Sequence, residues 1–191
     1  MKHLKMLGLL AVAAAAFMAF AGNAYAENPV LTSPAGTEYT GTIHATLETG
    51  TTAKLEAGIE DTCTVSTVHG DVTTNTFGVA SGPITGLSFG SEATPCSAEA
   101  TTVLNPGSLS IASGGAVTAT GNEVTVKQFG ISCIYGGGSG TVLGSLEGGT
   151  PAKLKVNTSE LPKISGGLFC ASKGTWTANY VVTTPGTLLV D

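Results

Sequence analysis

Residues 175–182 alternate between apolar and polar side chains, except at Val181. The apolar members of this segment are Trp176, Ala178, Tyr180 and Val182, and the polar members are Thr175, Thr177 and Asn179. A period of two with one apolar face predicts a half-buried β-strand. The same pattern recurs over residues 39–48, 53–59 and 152–156, and no segment after residue 26 keeps a helical period for ten residues.

Turn-forming residues separate these strands. Glycine recurs about every eight to twelve residues, a spacing typical of sandwiches and barrels, and residues 105–107 and 184–187 are strong turn signals. We therefore expect an all-β fold, an antiparallel β-sandwich of the immunoglobulin-like, Greek-key kind. Residues 39–48 and 53–59 are expected to form a hairpin. A third strand over residues 61–68 is expected to end in a turn at residues 69–71. A β-solenoid is the alternative, although the glycine and threonine spacing has no fixed period.

The first 26 residues have the pattern of a secretory signal peptide. Lys2, His3 and Lys5 precede a short apolar run, and Ala24-Tyr25-Ala26 is a small-x-small cleavage site. We expect cleavage after Ala26, an extended lead-in over residues 27–36 and a β-sandwich domain over residues 37–191. A division of that domain into two lobes, about 37–112 and 113–191, stays open. No second apolar stretch is long enough to span a membrane.

Four cysteines follow the predicted signal peptide, and an even number of cysteines in an exported chain indicates disulfides. Zinc is disfavoured because no two cysteines are close in sequence and none has a histidine beside it. Four cysteines allow three pairings. We favour Cys63–Cys96 and Cys133–Cys170, because sequential pairing closes the shortest loops.

The charge of the chain excludes some partners. Removal of residues 1–26 takes away Lys2 and Lys5 and changes the net charge from −5 to −7. Nucleic acids and anionic membrane surfaces need clustered cations, so neither is expected as a partner. A cell-wall, glycan or protein partner remains open.

The C-terminal third resembles small secreted, disulfide-bonded β proteins of actinobacteria that have no known activity. The resemblance rests on a strand with a cysteine and a Gly-rich turn, then on a Phe-Cys pair, a Trp-x-Ala-x-Tyr strand and a closing strand after a proline turn. In this sequence these features are Cys133, Tyr135, 136–138, Phe169, Cys170, Trp176, Ala178, Tyr180, Pro185 and 188–190. The resemblance implies secretion and disulfides, and it implies no chemistry.

No residue pattern forms a convincing catalytic site. His69 lies near Asp71 and Ser66, but the sequence context of an activated serine is missing, and Ser66 is expected to be solvated. His44 lies on a threonine-rich polar face, and we expect it at the surface. The carboxylates Glu48, Glu56 and Glu60 are interpreted as a solvated face.

Ligand sites have equally weak signals. Asp71 and Glu92 lie in or near predicted loops, but the chain has no calcium-loop motif, and no metal or cofactor is expected. Trp176, Tyr180 and Tyr135 lie on apolar strand faces and are predicted to be structural core, with Trp176 packed on the Cys133–Cys170 bridge.

Taken together, these patterns predict a secreted, non-catalytic structural or interaction protein of the cell envelope or extracellular space. The alternative is an extracellular module that binds a glycan, a peptide or calcium through its loops. An exposed row of aromatic side chains would favour the alternative.

Overall fold

A computed structural model describes residues 29–76 and 78–191, and the predicted signal peptide with its cleavage site at Ala26 lies outside them. These residues form antiparallel strands and no helix, so none of them belongs to a helix long and apolar enough to cross a membrane. In chain order, the sixteen strands of the described residues are β1 (Leu31–Thr32), β2 (Gly41–Leu47), β3 (Ala53–Glu56), β4 (Glu60–Cys63), β5 (Ser66–Val72), β6 (Thr74–Thr76), β7 (Val79–Phe89), β8 (Ala100–Asn105), β9 (Ser108–Ala112), β10 (Ala116–Thr120), β11 (Glu123–Gln128), β12 (Ile131–Gly136), β13 (Thr141–Glu147), β14 (Lys153–Gly166), β15 (Lys173–Thr184) and β16 (Leu189–Val190).

Eight of these strands close into a barrel, in the order β15-β2-β5-β7-β9-β10-β13-β14, with β14 paired again to β15. The immunoglobulin-like sandwich predicted from the sequence is therefore replaced by a barrel. Both architectures bury one face of each strand, so the alternation along a strand is the same in each. What separates them is the pairing of strands that are far apart in sequence.

The two longest strands extend beyond the barrel and organise a second sheet. The first part of β14 pairs with β13 and its last part pairs with β12, while the first part of β15 pairs with β3. A register shift between Thr158 and Leu161 marks the point where β14 leaves the barrel, as expected of a β-bulge that bends a strand. The second sheet has the order β4-β3-β15-β14-β12-β11-β8.

The edge strands of the second sheet are tied to each other. The Cys63–Cys96 disulfide joins β4 to the segment that leads into β8. Beside it, the buried Asp61 carboxylate accepts hydrogen bonds from the Ala98 backbone N–H (3.0 Å) and the Thr101 hydroxyl (2.6 Å). The second sheet therefore curls around an interior that contains both disulfides.

A small two-stranded sheet, β1 with β16, packs against the barrel core. Asn75, itself buried, holds this sheet in place. Its side-chain oxygen accepts hydrogen bonds from the N–H groups of Val30 (2.8 Å) and Leu31 (3.1 Å), and its amide donates to the carbonyls of Leu31 and Tyr39. One side chain thus bonds to four backbone groups, three of them buried, and buried backbone groups without partners lower stability.

Two local predictions were wrong. β2 and β3 do not form a hairpin, because β15 lies between them and pairs with both. Residues 69–71 are not a turn but part of β5. Glycine at position 70 avoids a tight contact there, since a Cβ atom would lie 3.1 Å from the Pro83 carbonyl oxygen.

Candidate functional site

The residues singled out from the sequence as structural lie in the interior. The structure contains both favoured disulfides, Cys63–Cys96 and Cys133–Cys170. Trp176, Tyr180 and Tyr135 are 9%, 1% and 1% exposed. The ring of Trp176 meets that of Phe89 edge to face, with 6.1 Å between the centroids. These aromatic side chains are therefore not available to a ligand at the surface.

Both buried tyrosines have satisfied hydroxyl groups. The Tyr180 hydroxyl lies 2.9 Å from the Ser66 hydroxyl, and burial raises the pKa of Tyr180 to about 12. The Tyr135 hydroxyl lies 2.8 Å from the Ala57 carbonyl oxygen and 3.0 Å from that of Ala171. Burial also raises the pKa of Tyr135. Both groups serve as neutral structural anchors.

Ser66, His69 and Asp71 do not form a triad. Ser66 is buried and donates its hydroxyl proton to the Ser88 carbonyl, 2.7 Å away. His69 stands an odd number of residues along the same strand, so its side chain points to the opposite face of the sheet. The expectation that Ser66 is solvated was wrong. Its side chain points into the barrel, where its hydroxyl forms a hydrogen bond with the Tyr180 hydroxyl.

The acidic side chains considered for catalysis are engaged in ion pairs. Glu48 pairs with Lys153 at 2.6 Å, while Glu56 and Glu60 both pair with Lys54. Asp71 accepts a hydrogen bond from the Thr42 hydroxyl at 2.7 Å. These exposed pairs are typical of a solvated sheet face.

One group of three or more metal-ligating side chains occurs in the described residues, formed by Asp61, Cys63 and Cys96. The two cysteines are joined in a disulfide, and the carboxylate already accepts hydrogen bonds from the neighbouring segment. A disulfide sulfur lacks the thiolate charge that binds metals. This group therefore stabilises the edge of the second sheet and does not fit a metal ion.

The barrel interior holds an apolar cavity of about 70 Å³. Small side chains such as Ala45, Ala80 and Gly70 leave this space between Ile43, Leu109 and Leu154. Sites for small organic ligands have volumes of roughly 300 Å³ or more. The cavity is therefore too small for most ligands.

Three large apolar side chains are exposed at one end of the second sheet, and we call them the apolar tip: Phe129, Leu168 and Phe169. Phe129 is 83% exposed and Phe169 is 73% exposed, and Leu168 is fully exposed. Phe129 lies in the β11–β12 turn, and the other two lie in the loop between β14 and β15. The apolar tip therefore exposes a cluster of apolar surface that has no evident role in a purely solvated loop.

Contacts through the β3–β4 turn hold these two loops side by side. Gln128, next to Phe129, accepts a hydrogen bond from the Glu60 N–H through its side-chain oxygen at 3.3 Å. The Ala171 N–H donates to the Ala57 carbonyl at 3.0 Å. At Gly58 a Cβ atom would lie 2.6 Å from the Phe169 carbonyl oxygen, so a glycine is needed for this approach.

The Phe129 backbone is strained. Gln128 pairs with Ile131, so Phe129 and Gly130 form a two-residue turn, and their φ angles are 52° and 73°. Such a turn favours asparagine and glycine, because other L-residues adopt positive φ at a cost. Phe129 has the one positive φ found outside glycine in the described residues.

The loop that presents Leu168 and Phe169 is anchored at its base. The Cys133–Cys170 disulfide fixes Cys170 to β12, and the Lys163 ammonium donates to the Cys170 carbonyl at 3.1 Å. The tip was not predicted from the sequence, because the apolar run over residues 168–170 has the character of a short buried strand. The glycines at 166 and 167 were the available signal for a loop.

No protein-family model matches this chain, and neither a curated protein nor a solved structure matches it.

Proposed function

We propose that this chain is a secreted, non-catalytic interaction protein of the cell envelope or extracellular space that binds a protein partner through the apolar tip. The observation that supports this most directly is the exposure of Phe129, Leu168 and Phe169 on neighbouring anchored loops.

Exposed aromatic side chains are a feature of protein interfaces. Phe is enriched there, and a few buried anchors supply most of the binding energy. Burying one such side chain fully is worth about 1.5–3 kcal/mol. Because the loops at the tip are tied by the Cys133–Cys170 disulfide and the Tyr135 hydroxyl, little loop entropy is lost when a partner binds.

The strain at Phe129 supports the same function. A positive φ in an L-residue that makes few contacts lowers stability without a compensating gain in packing. Strained backbone positions cluster at binding sites, where the side chain is needed for another reason. Partner binding would provide that reason for Phe129.

Export is part of the proposal. Disulfides persist in oxidising compartments and are rare in the cytosol. Two of them in one chain support the location outside the cell that the sequence predicts.

Binding to fractions of the producing organism tests the proposal. The immobilised, oxidised chain is incubated with envelope and culture-medium fractions, either untreated, protease-treated or periodate-treated. The tip variant combines Phe129→Asn, Leu168→Ser and Phe169→Ser. The control variant combines Leu104→Ser and Val142→Thr, which remove two other exposed apolar side chains, 53% and 60% exposed.

We expect saturable binding that protease treatment of the fraction abolishes and periodate leaves intact. The tip variant loses binding and the control variant keeps it. Binding that is unaffected by the tip variant, or an absence of saturable binding to every fraction, contradicts the proposal.

A glycan is the second candidate partner. It is favoured by the exposed rings of Phe129 and Phe169, since aromatic rings can stack on sugars. Leu168 offers no such ring, and this is why a protein is preferred. Loss of binding after periodate, with retention after protease, would identify the glycan instead.

A further inference from the structure

The two histidines of the described chain lie directly opposite each other. His44 on β2 pairs with His69 on β5 across an antiparallel ladder. Side chains in this position have Cβ atoms about 4.5–5.5 Å apart on the same face. Their neighbours on β2, Ile43 and Ala45, line the interior cavity, so both imidazoles project from the outside of the barrel.

The two rings are in contact and remain accessible. Their centroids are 4.2 Å apart and the planes are inclined by 60°. Both residues are half-buried. No hydrogen bond within residues 29–76 and 78–191 involves a ring nitrogen of either histidine, so each neutral imidazole has one unprotonated nitrogen whose lone pair can bind a metal ion.

The surroundings leave the pair uncovered. The next strand places Gly86 opposite His69, and a Cβ atom at Gly86 would lie 3.5 Å from the Cβ of His69. A larger residue there would crowd the ring, whereas glycine leaves the side open. On the other flank, Thr184 stands opposite His44.

A negative charge lies one row along the same face. Thr42 and Asp71 form the next outward pair, and the threonine hydroxyl donates to the carboxylate at 2.7 Å. Rows on one face are about 6.6 Å apart, since each residue of a strand rises about 3.3 Å. At this distance the Asp71 carboxylate attracts a cation beside the rings by its charge, without acting as a ligand itself.

From this juxtaposition we infer that His44 and His69 form a surface site for a divalent transition-metal ion, Cu²⁺, Ni²⁺ or Zn²⁺. Neutral imidazole is a preferred ligand of these ions. Two nitrogens bound to one Zn²⁺ at about 2.0–2.1 Å lie roughly 3.3 Å apart in tetrahedral geometry. The contacting rings reach this arrangement by rotation of their side chains, and water completes the coordination. The site is independent of the apolar tip.

Calorimetric titration with each metal tests the inference. The protein is produced with its disulfides formed and is purified without a histidine tag. It is titrated with CuCl₂, NiCl₂ and ZnCl₂, and with CaCl₂ and MgCl₂ as hard-cation controls. We expect one ion per chain for the transition metals and no heat of binding for the hard cations.

Three variants locate the site. His44→Gln and His69→Gln each remove one ligand, and each is expected to weaken binding by about tenfold or more, because the second imidazole no longer binds intramolecularly. The double variant His44→Thr with Thr46→His keeps two histidines on the same face but separates them by one row. It is expected to weaken binding as much as either single variant does.

Asp71→Asn distinguishes the supporting charge from a ligand and is expected to weaken binding less than removal of either imidazole. Thermal unfolding without metal checks that each variant keeps its fold. The inference is overturned if no transition metal binds, if either glutamine variant binds as tightly as the parent chain, or if the displaced histidine is as effective as the original. In those cases the two rings are only a packing contact of the sheet.

Discussion

Replacing Phe129 with asparagine should make the protein more stable, which is the reverse of what most substitutions do. Left-handed backbone costs an ordinary L-residue about 1–2 kcal/mol, and asparagine much less. The Phe129 side chain contributes little to the free energy of unfolding. It is 83% exposed in the folded protein, and the small fraction that is covered there is similar to the fraction covered in the unfolded chain. The expected gain in the free energy of unfolding is therefore about 0.5–1 kcal/mol.

Urea unfolding followed by circular dichroism measures this gain. With a slope of about 2 kcal/mol/M, the midpoint should rise by roughly 0.3–0.5 M. Phe169→Asn is the matched control, since it removes another exposed ring from the same tip but has no positive φ to relieve. A midpoint for Phe129→Asn that is unchanged, lowered or shifted equally in the control refutes the strain argument.

Three further predictions concern the interior. Asn75→Ala removes the partner of the buried N–H groups of Val30 and Leu31 and of the part-buried Tyr39 carbonyl. It should cost about 2–5 kcal/mol, with loss of hydrogen-exchange protection at the Val30 and Leu31 amides. Burial raises the pKa of Tyr180 to about 12 in the folded protein, above the value of about 10 in the unfolded chain. The free energy of unfolding is therefore unaffected by this group below pH 10 and falls by about 3 kcal/mol towards pH 12. Tyr180→Phe should lack this decline when unfolding is measured at alkaline pH. Gly82→Ala would place a Cβ atom 1.7 Å from the Asp71 carbonyl oxygen and should cost about 2 kcal/mol or more, whereas Gly186→Ala, with open space around it, should leave the melting temperature nearly unchanged.

Strands could be predicted from the sequence where one face is uniformly apolar. Residues 175–182 fall within β15, and residues 152–156 lead into β14. The continuation of β14 through residues 157–160 was missed because Thr158 points inward as a polar residue. Barrel closure was beyond reach, because it depends on which distant strands pair and in what register.

The sites were harder to predict than the strands. The disulfide pairing could be favoured from loop length alone, and it agrees with the structure. The contact between His44 and His69 could not be foreseen, because it depends on the register of β2 with β5. The apolar tip was missed because an apolar residue in a turn gives the same local signal as one in a short strand.

The continuity of β14 and β15 through both sheets has a mechanical consequence. The loop that presents Leu168 and Phe169 joins these two strands, and their other ends are built into the barrel. Hydrogen bonds between antiparallel strands run perpendicular to the strand direction. A force applied to the tip along the strand direction therefore loads many hydrogen bonds together in shear, instead of breaking them one by one. Tension from a bound partner is then shared along the β14–β15 hairpin as far as the barrel.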